Sequence, residues 1–472
     1  MTPSTRVLFG TIGELSAGLR KGAFTSVELT QAYLQRLKLH GTKLGAVATL
    51  LEESALKEAS QADRELNEKK DRGPLHGIPY GVKDLLATRG VPTTWGAEPF
   101  RKQVFDYDAT VVQRLREAGA VLVAKLAMIE LAGGFGYNRA DASWTGPCRT
   151  PWNLDYWAGG SSSGSGAAVG AALVPFAIGS ETSGSIITPA SFCGVTVLRH
   201  TYGRVSRHGA MALSWTLDKL GPMGRSVEDC ALVLAAIAGR DTRDPSSTTL
   251  AFRFPEARPR KRFRIGVLAQ STLRVQPEVK KNFEASLEVL RKFADLTENV
   301  KLPDLPYSET LITVLRAEES TVFRNLLDSG DLWKLRSADD KASALANSMV
   351  LATDYLQALR MRGTIKLALD EVFASFDAIV CPGRSTVSYP VDRPFSKAYP
   401  PQVLGPATGH LITATNVVGL PALCIPNGLG QHQMPTSLQL AGRAWSEARL
   451  AAIGMAYQEA TDWHRRQPRD FS

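Results

Sequence analysis

The stretch from Gly159 to Gly194, GGSSSGSGAAVGAALVPFAIGSETSGSIITPASFCG, constrains this chain more than any other. Two glycine- and serine-rich turns, Gly159 to Gly166 and Gly179 to Ser185, are joined by an uncharged run from Ala167 to Ile178. Such a run predicts a helix, or a helix leading into a strand, packed inside a core. Glycine opens turn conformations closed to other residues and lets a ligand approach the main chain. Two such turns on one buried connector predict a rigid cradle.

A phosphate cradle fits poorly. The loop lacks a Lys-Ser/Thr ending, and Gly164-Ser165-Gly166 is followed by Gly170 rather than by a glycine at dinucleotide spacing. Gly160-Ser161-Ser162-Ser163-Gly164 matches a Gly-x-Ser-x-Gly nucleophile elbow in form, but a serine-rich loop satisfies so short a pattern easily. A flexible linker would not feed straight into an apolar segment.

With both turns at this separation, the stretch resembles the amidase signature family of serine hydrolases. The resemblance implies a first-turn serine, preceded by a cis peptide bond, that relays a proton between a lysine and a nucleophilic serine in the second turn. It places the relay at Ser161 and the nucleophile at Ser185. The lysine belongs to an upstream Gly-x-Pro-x-x-x-Lys-Asp segment, here Gly77 to Asp84, and is therefore Lys83. Alone, Lys83 would read as a surface lysine at a strand end. Beside the two serine turns it reads as a base, and its apolar neighbours Ile78, Tyr80, Val82, Leu85 and Leu86 suit burial, provided Asp84 points elsewhere. A serine hydroxyl is a weak nucleophile until a base takes its proton. A lysine serves only when neutral, and burial lowers its pKa. The resemblance further implies an oxyanion hole from the main chain of Thr182, Ser183, Gly184 and Ser185, and substrate contacts near Gly133, Gly134, Ser162 and Ile187.

The chain departs from the family pattern at several points. Ile187 stands where an arginine is usual, Glu181 where an aspartate is, Ser183 where a glycine is, and Arg199-His200 replaces a basic residue followed by proline. These changes leave the three reacting residues intact and bear on substrate preference. Asp218 and Arg225 read as structural ion-pair partners.

The 472 residues would suffice for two or three average domains, yet α/β enzymes run this long as one unit. The resemblance implies a single-domain α/β fold, a mixed central sheet covered by helices on both faces. Four segments are expected: a helical layer over 1–70, the signature core over 71–250, a variable helical insert over 251–375 and a return to the core over 376–472. Within them, Thr25-Ser26-Val27-Glu28 is a capping box, Thr110 to Ala120 a helix stopped at Gly119, Val121 to Lys125 a buried strand, and Arg264 to Leu268 a further strand. The final helix is expected over Glu447 to Trp463.

Five widely spaced cysteines form no Cys-x-x-Cys pair, and seven scattered histidines offer no His-Glu-x-x-His, so neither a disulfide framework nor a metal site is indicated and no cofactor is expected. No run approaches a membrane span, and the expectation is a cytoplasmic protein. The net charge of +9 raises a nucleic-acid partner, but the densest basic cluster, Arg253 to Arg264, is proline-rich and reads as a connector. A homo-oligomer is left open.

The favoured reading is a metal-independent hydrolase of acyl C–N bonds, acting on a hydrophobic or aryl amide because aromatics such as Trp144, Trp152 and Trp157 crowd the region before the first turn. Carbamates (urethanes) and esters follow the same chemistry. The alternatives are the amidase subunit of a tRNA-dependent glutamine amidotransferase, which would need partner subunits, and a non-catalytic small-molecule binder on the same scaffold.

Overall fold

A computed structural model describes residues 3–254, 262–403 and 409–472. The strands in chain order are β1 (Val47–Leu50), β2 (Pro79–Lys83), β3 (Val121–Leu126), β4 (Arg149–Thr150), β5 (Asn153–Trp157), β6 (Phe176–Glu181), β7 (Thr196–Arg199), β8 (Lys219–Gly224), β9 (Phe263–Leu268), β10 (Ala294–Val300), β11 (Ala378–Pro382), β12 (Ala422–Leu429) and β13 (Pro435–Ala441). Eleven of them form one sheet in the order β1-β3-β2-β6-β8-β7-β12-β13-β11-β9-β10, while β4 and β5 make a separate hairpin. The sheet is mixed: β2 runs parallel to β3 and β6, whereas β8 lies antiparallel to both β6 and β7.

Both faces of the sheet are covered, as the alternation of side chains shows. Successive strand residues point to opposite faces. Tyr80, Leu122, Ile178, Leu198 and Leu423 enter one apolar cluster, and their neighbours Val121, Val123, Ala177, Val197 and Cys424 enter another. A strand buried on both faces reads as a continuous apolar run, which is why Phe176–Glu181 carries no polar alternation until its last two residues.

The connector between the two turns divides as a helix, Ser163–Gly170, and β6. Every residue of that helix is buried. Its glycines are required by close approach. A Cβ on Gly164 would lie 2.4 Å from Ala46 O and 2.5 Å from Ala127 N, backbone atoms that cannot step aside. The helix is thereby pressed against the sheet, with both turns at one end of β6.

Thr25 and Glu28 form the expected capping box ahead of the helix Ser26–Leu44. The helix Thr110–Glu117 is followed by Gly119 in a left-handed conformation and then by β3. Other expectations need correction. The helical layer over 1–70 contains β1, which pairs with β3 at one edge of the sheet. In the 251–375 segment the expected strand over Arg264 to Leu268 is β9, and a second, unexpected strand, β10, lies beside it at the other edge of the sheet. One sheet thus draws strands from all four expected segments. The last long helix ends at Glu459, short of Trp463. Most of the Arg253 to Arg264 cluster lies outside the described residues. Among the described residues no helix is long and apolar enough to cross a membrane.

Candidate active site

Lys83 is the last residue of β2, and the adjacent β6 carries Ser180 and Glu181 at its matching end. The parallel pairing brings the lysine beneath both serine turns. Lys83 is fully buried, and its Nζ donates to Ser161 Oγ at 2.7 Å and to Ser180 Oγ at 2.9 Å. Burial pulls its pKa down to about 7, against the opposing pull of the Asp218 and Glu181 carboxylates. Asp84 points elsewhere, to Lys125 at 3.1 Å and to the Thr94 N–H.

The peptide bond between Gly160 and Ser161 is cis. Ser162, expected beside the substrate, instead ties the two turns together: its N–H donates to Ser185 O at 3.2 Å and its hydroxyl to Ser180 O at 3.1 Å. Ser185 is partly exposed to a cavity of about 290 Å³. Its hydroxyl makes no hydrogen bond to a described residue, so Lys83 and Ser161 are joined in this structure while Ser185 stands apart from them. Such contacts often tighten only when substrate is bound.

In the second turn, Gly184 adopts φ +82, a conformation natural to glycine. The N–H groups of Ser183, Gly184 and Ser185 donate to no acceptor among the described residues. Buried donors are ordinarily satisfied, so an unspent set beside a serine hydroxyl is suited to hold a developing oxyanion. Two carboxylates fix this turn. Asp218 accepts from Thr182 Oγ1 at 2.5 Å and from the Leu213 and Ser214 N–H groups. It does not pair with Arg225, which lies over the Phe9 ring and donates to Val169 O. The ion-pair expectation for these two residues is therefore corrected.

Glu181 Oε2 accepts from the N–H groups of Ile186 and Ile187 at 2.8 and 3.0 Å, and its Oε1 meets Arg199 at 2.6 Å. Burial would raise the Glu181 carboxyl, but the Arg199 guanidinium and these donors hold it at about 2. Glu181, a departure from the family pattern, thus forms with Arg199 one buried pair that anchors the helix Ile187–Cys193.

The cavity is lined by Gly133, Thr182, Ser183 and Ser185 together with Tyr137, Trp157, Tyr389, Phe395 and Arg384. The rings form a packed wall, with Trp157 and Phe395 stacked at 4.4 Å and Tyr137 edge-on to Trp157 at 5.9 Å. Of the expected substrate contacts, Gly133 lines the cavity. Gly134 does not: a Cβ there would meet Leu213 at 2.8 Å, so its surroundings are filled by protein. Ile187 is fully buried in the core, where an apolar side chain gains by leaving water. Sequence reasoning missed Ser180, although its hydroxyl lies inside the second turn. It also missed Arg384, Tyr389 and Phe395, which carry no local signal and reach the site only through folding.

A lysine poised between its charged and neutral forms, bound to a serine hydroxyl and adjoining free N–H donors, can move a proton and hold a negative oxygen. The Amidase family model matches residues 28–451. A component of the glutamyl-tRNA(Gln) amidotransferase of Methylococcus capsulatus is 35% identical over 487 residues, spanning 97% of this chain and 98% of that relative. The native peptide amidase of Stenotrophomonas maltophilia is similar with a TM-score of 0.81 and 31% identity, over 95% of this chain and 96% of that one. A bacterial aryl acylamidase of the amidase signature family shares the fold, with a TM-score of 0.86 at 22% identity over 97% of each chain. With this motif set and this match, the chain belongs to the amidase family, enzymes of carbon–nitrogen bond hydrolysis.

Proposed function

We propose that the chain cleaves an acyl C–N bond through an acyl-enzyme on Ser185. Neutral Lys83 takes the proton of Ser161 as Ser161 takes that of Ser185. Ser185 Oγ then attacks the carbonyl carbon, and the N–H groups of the second turn hold the oxyanion. Collapse of the tetrahedral intermediate breaks the C–N bond, and the proton returns through Ser161 to the leaving nitrogen. Water, deprotonated along the same path, releases the acid and restores Ser185. The observation that carries this reading is the 2.7 Å bond between a fully buried Lys83 and Ser161.

Substrate class divides two finer readings. The sequence relatives, named as components of glutamyl-tRNA(Gln) amidotransferases, favour the partner-dependent amidase over a stand-alone hydrolase of hydrophobic or aryl amides. The aromatic wall supports the stand-alone reading. The test is release of product by the purified chain alone from glutamine, aliphatic primary amides, anilides and aryl carbamates, beside Ser185→Ala. Turnover of anilides or carbamates that disappears in the variant supports a stand-alone enzyme. Turnover of glutamine only in the presence of partner subunits supports the amidotransferase reading. Hydrolysis that survives Ser185→Ala overturns the proposal.

A further inference from the structure

Arg384 is the single charged side chain among the described residues lining the Ser185 cavity. Its position is imposed by the fold. It follows β11 by two residues, and the intervening Gly383 is held so close to Ser437 and Ser191 that a Cβ would fall 2.2 and 3.0 Å from their hydroxyls. Ser191 belongs to the helix that begins just after Ser185, so the close approach at Gly383 ties Arg384 to the nucleophile turn.

The guanidinium is poorly satisfied. Among the described residues it pairs with no carboxylate, its Nε–H has no acceptor, and its one hydrogen bond is a long contact of 3.4 Å from Nη2 to Tyr389 Oη. Trp157, 2% exposed and in the same cavity wall, also has an indole N–H without an acceptor. Leaving such donors unmade in a buried site is costly. An arginine's planar fork matches a carboxylate, and the resulting charge-assisted pair is among the stronger polar contacts. The second position after Ser185, where a basic residue is absent, holds Ile187 turned into the core. A cation therefore enters this cavity from β11 rather than from the second turn.

We infer that Arg384 is a specificity residue that reads a carboxylate on the substrate, so that the amide cleaved at Ser185 carries an acid group whose charge rests on Arg384 while its apolar body lies on Trp157, Tyr389 and Phe395. This rests on the amidase reading of Ser185. No carboxylate among the described residues lines the cavity to receive an ammonium, so an amide bearing only an acid fits better than a zwitterion.

The test is calorimetric binding of 4-carbamoylbenzoate and of its neutral analogue 4-methylbenzamide to the full chain carrying Ser185→Ala, which removes turnover. The anionic compound is expected to bind about tenfold or more tightly. The preference is expected to vanish on adding Arg384→Gln and to return in part with Arg384→Lys, each variant being checked for an unchanged melting profile. Equal affinity for the two compounds, no binding of the anionic one, or a preference that survives Arg384→Gln overturns the assignment. The amidase reading fails separately, if Ser185→Ala still hydrolyses 4-carbamoylbenzoate.

Discussion

Lys83 Nζ lies 2.7 Å from Ser161 Oγ, and both residues are wholly shielded from water. A charged ammonium is disfavoured there, and the pKa of Lys83 falls to about 7. The neutral amine is the form that can accept a proton, so kcat/KM is expected to rise with pH along a single ionisation near that value. Asp218 opposes the fall, since its negative charge favours the ammonium. Asp218→Asn should therefore move the acid limb of the pH–rate profile to lower pH, as well as slowing turnover through loss of the Thr182 contact. An acid limb that stays in place would show that Asp218 does not act on Lys83.

The same burial makes Lys83 a cost to stability. Its pKa is about 10.4 in the unfolded chain and about 7 in the folded one. Between those values the unfolded chain binds more protons, so stability rises with pH across that window. Lys83→Met should abolish hydrolysis yet raise stability at neutral pH by on the order of a few kcal/mol, a gain seen as a higher melting temperature that shrinks towards pH 10. Thermal unfolding of both proteins across pH measures this.

Glu181 has the opposite sign. Its carboxyl, held at about 2, contributes stability above its unfolded pKa of about 4.3 and loses it as pH falls towards the folded value. Glu181→Gln leaves the Arg199 guanidinium buried without its charge partner. Loss of about 3–5 kcal/mol is expected at neutral pH, with the gap between variant and wild type closing below pH 4 in denaturant titrations.

Glycine substitutions should separate packing from chemistry. Gly164→Ala drives a methyl into backbone atoms of Ala46 and Ala127 and should cost about 3 kcal/mol or more. Gly184→Ala has room, its nearest neighbours lying 3.5 Å away. It disturbs the left-handed φ at the second turn, at a cost of about 1–3 kcal/mol in strain. A displaced oxyanion donor should lower kcat by about 10²-fold or more. Melting temperatures and kcat of the two variants distinguish the effects.

The residues proposed to react are legible in the sequence because their signals are local. Ser161 and Ser185 sit in glycine-rich turns joined by an uncharged run, and Lys83 closes an apolar strand segment. The edge strands were not. β10, ADLTENV, is largely solvated and alternates too weakly to be told from a loop, and β1 is only four residues long between two helices. Ile187 was expected at the substrate because of its place in the motif, but the residue type decides its direction, and an isoleucine there turns into the core. Arg384, Tyr389 and Phe395 lie some two hundred residues beyond the nucleophile. They meet it only because β11 pairs with β13 and β9 and ends near the helix that follows Ser185.

The acyl-enzyme is best sought directly, by intact-protein mass spectrometry of the chain mixed with a slowly hydrolysed aryl carbamate and quenched during turnover. A mass increase equal to the carbamoyl group, mapped to the peptide containing Ser185 and absent from Ser185→Ala and Lys83→Met, is the predicted result. An adduct that persists in Ser185→Ala, or that maps to another residue, would contradict it.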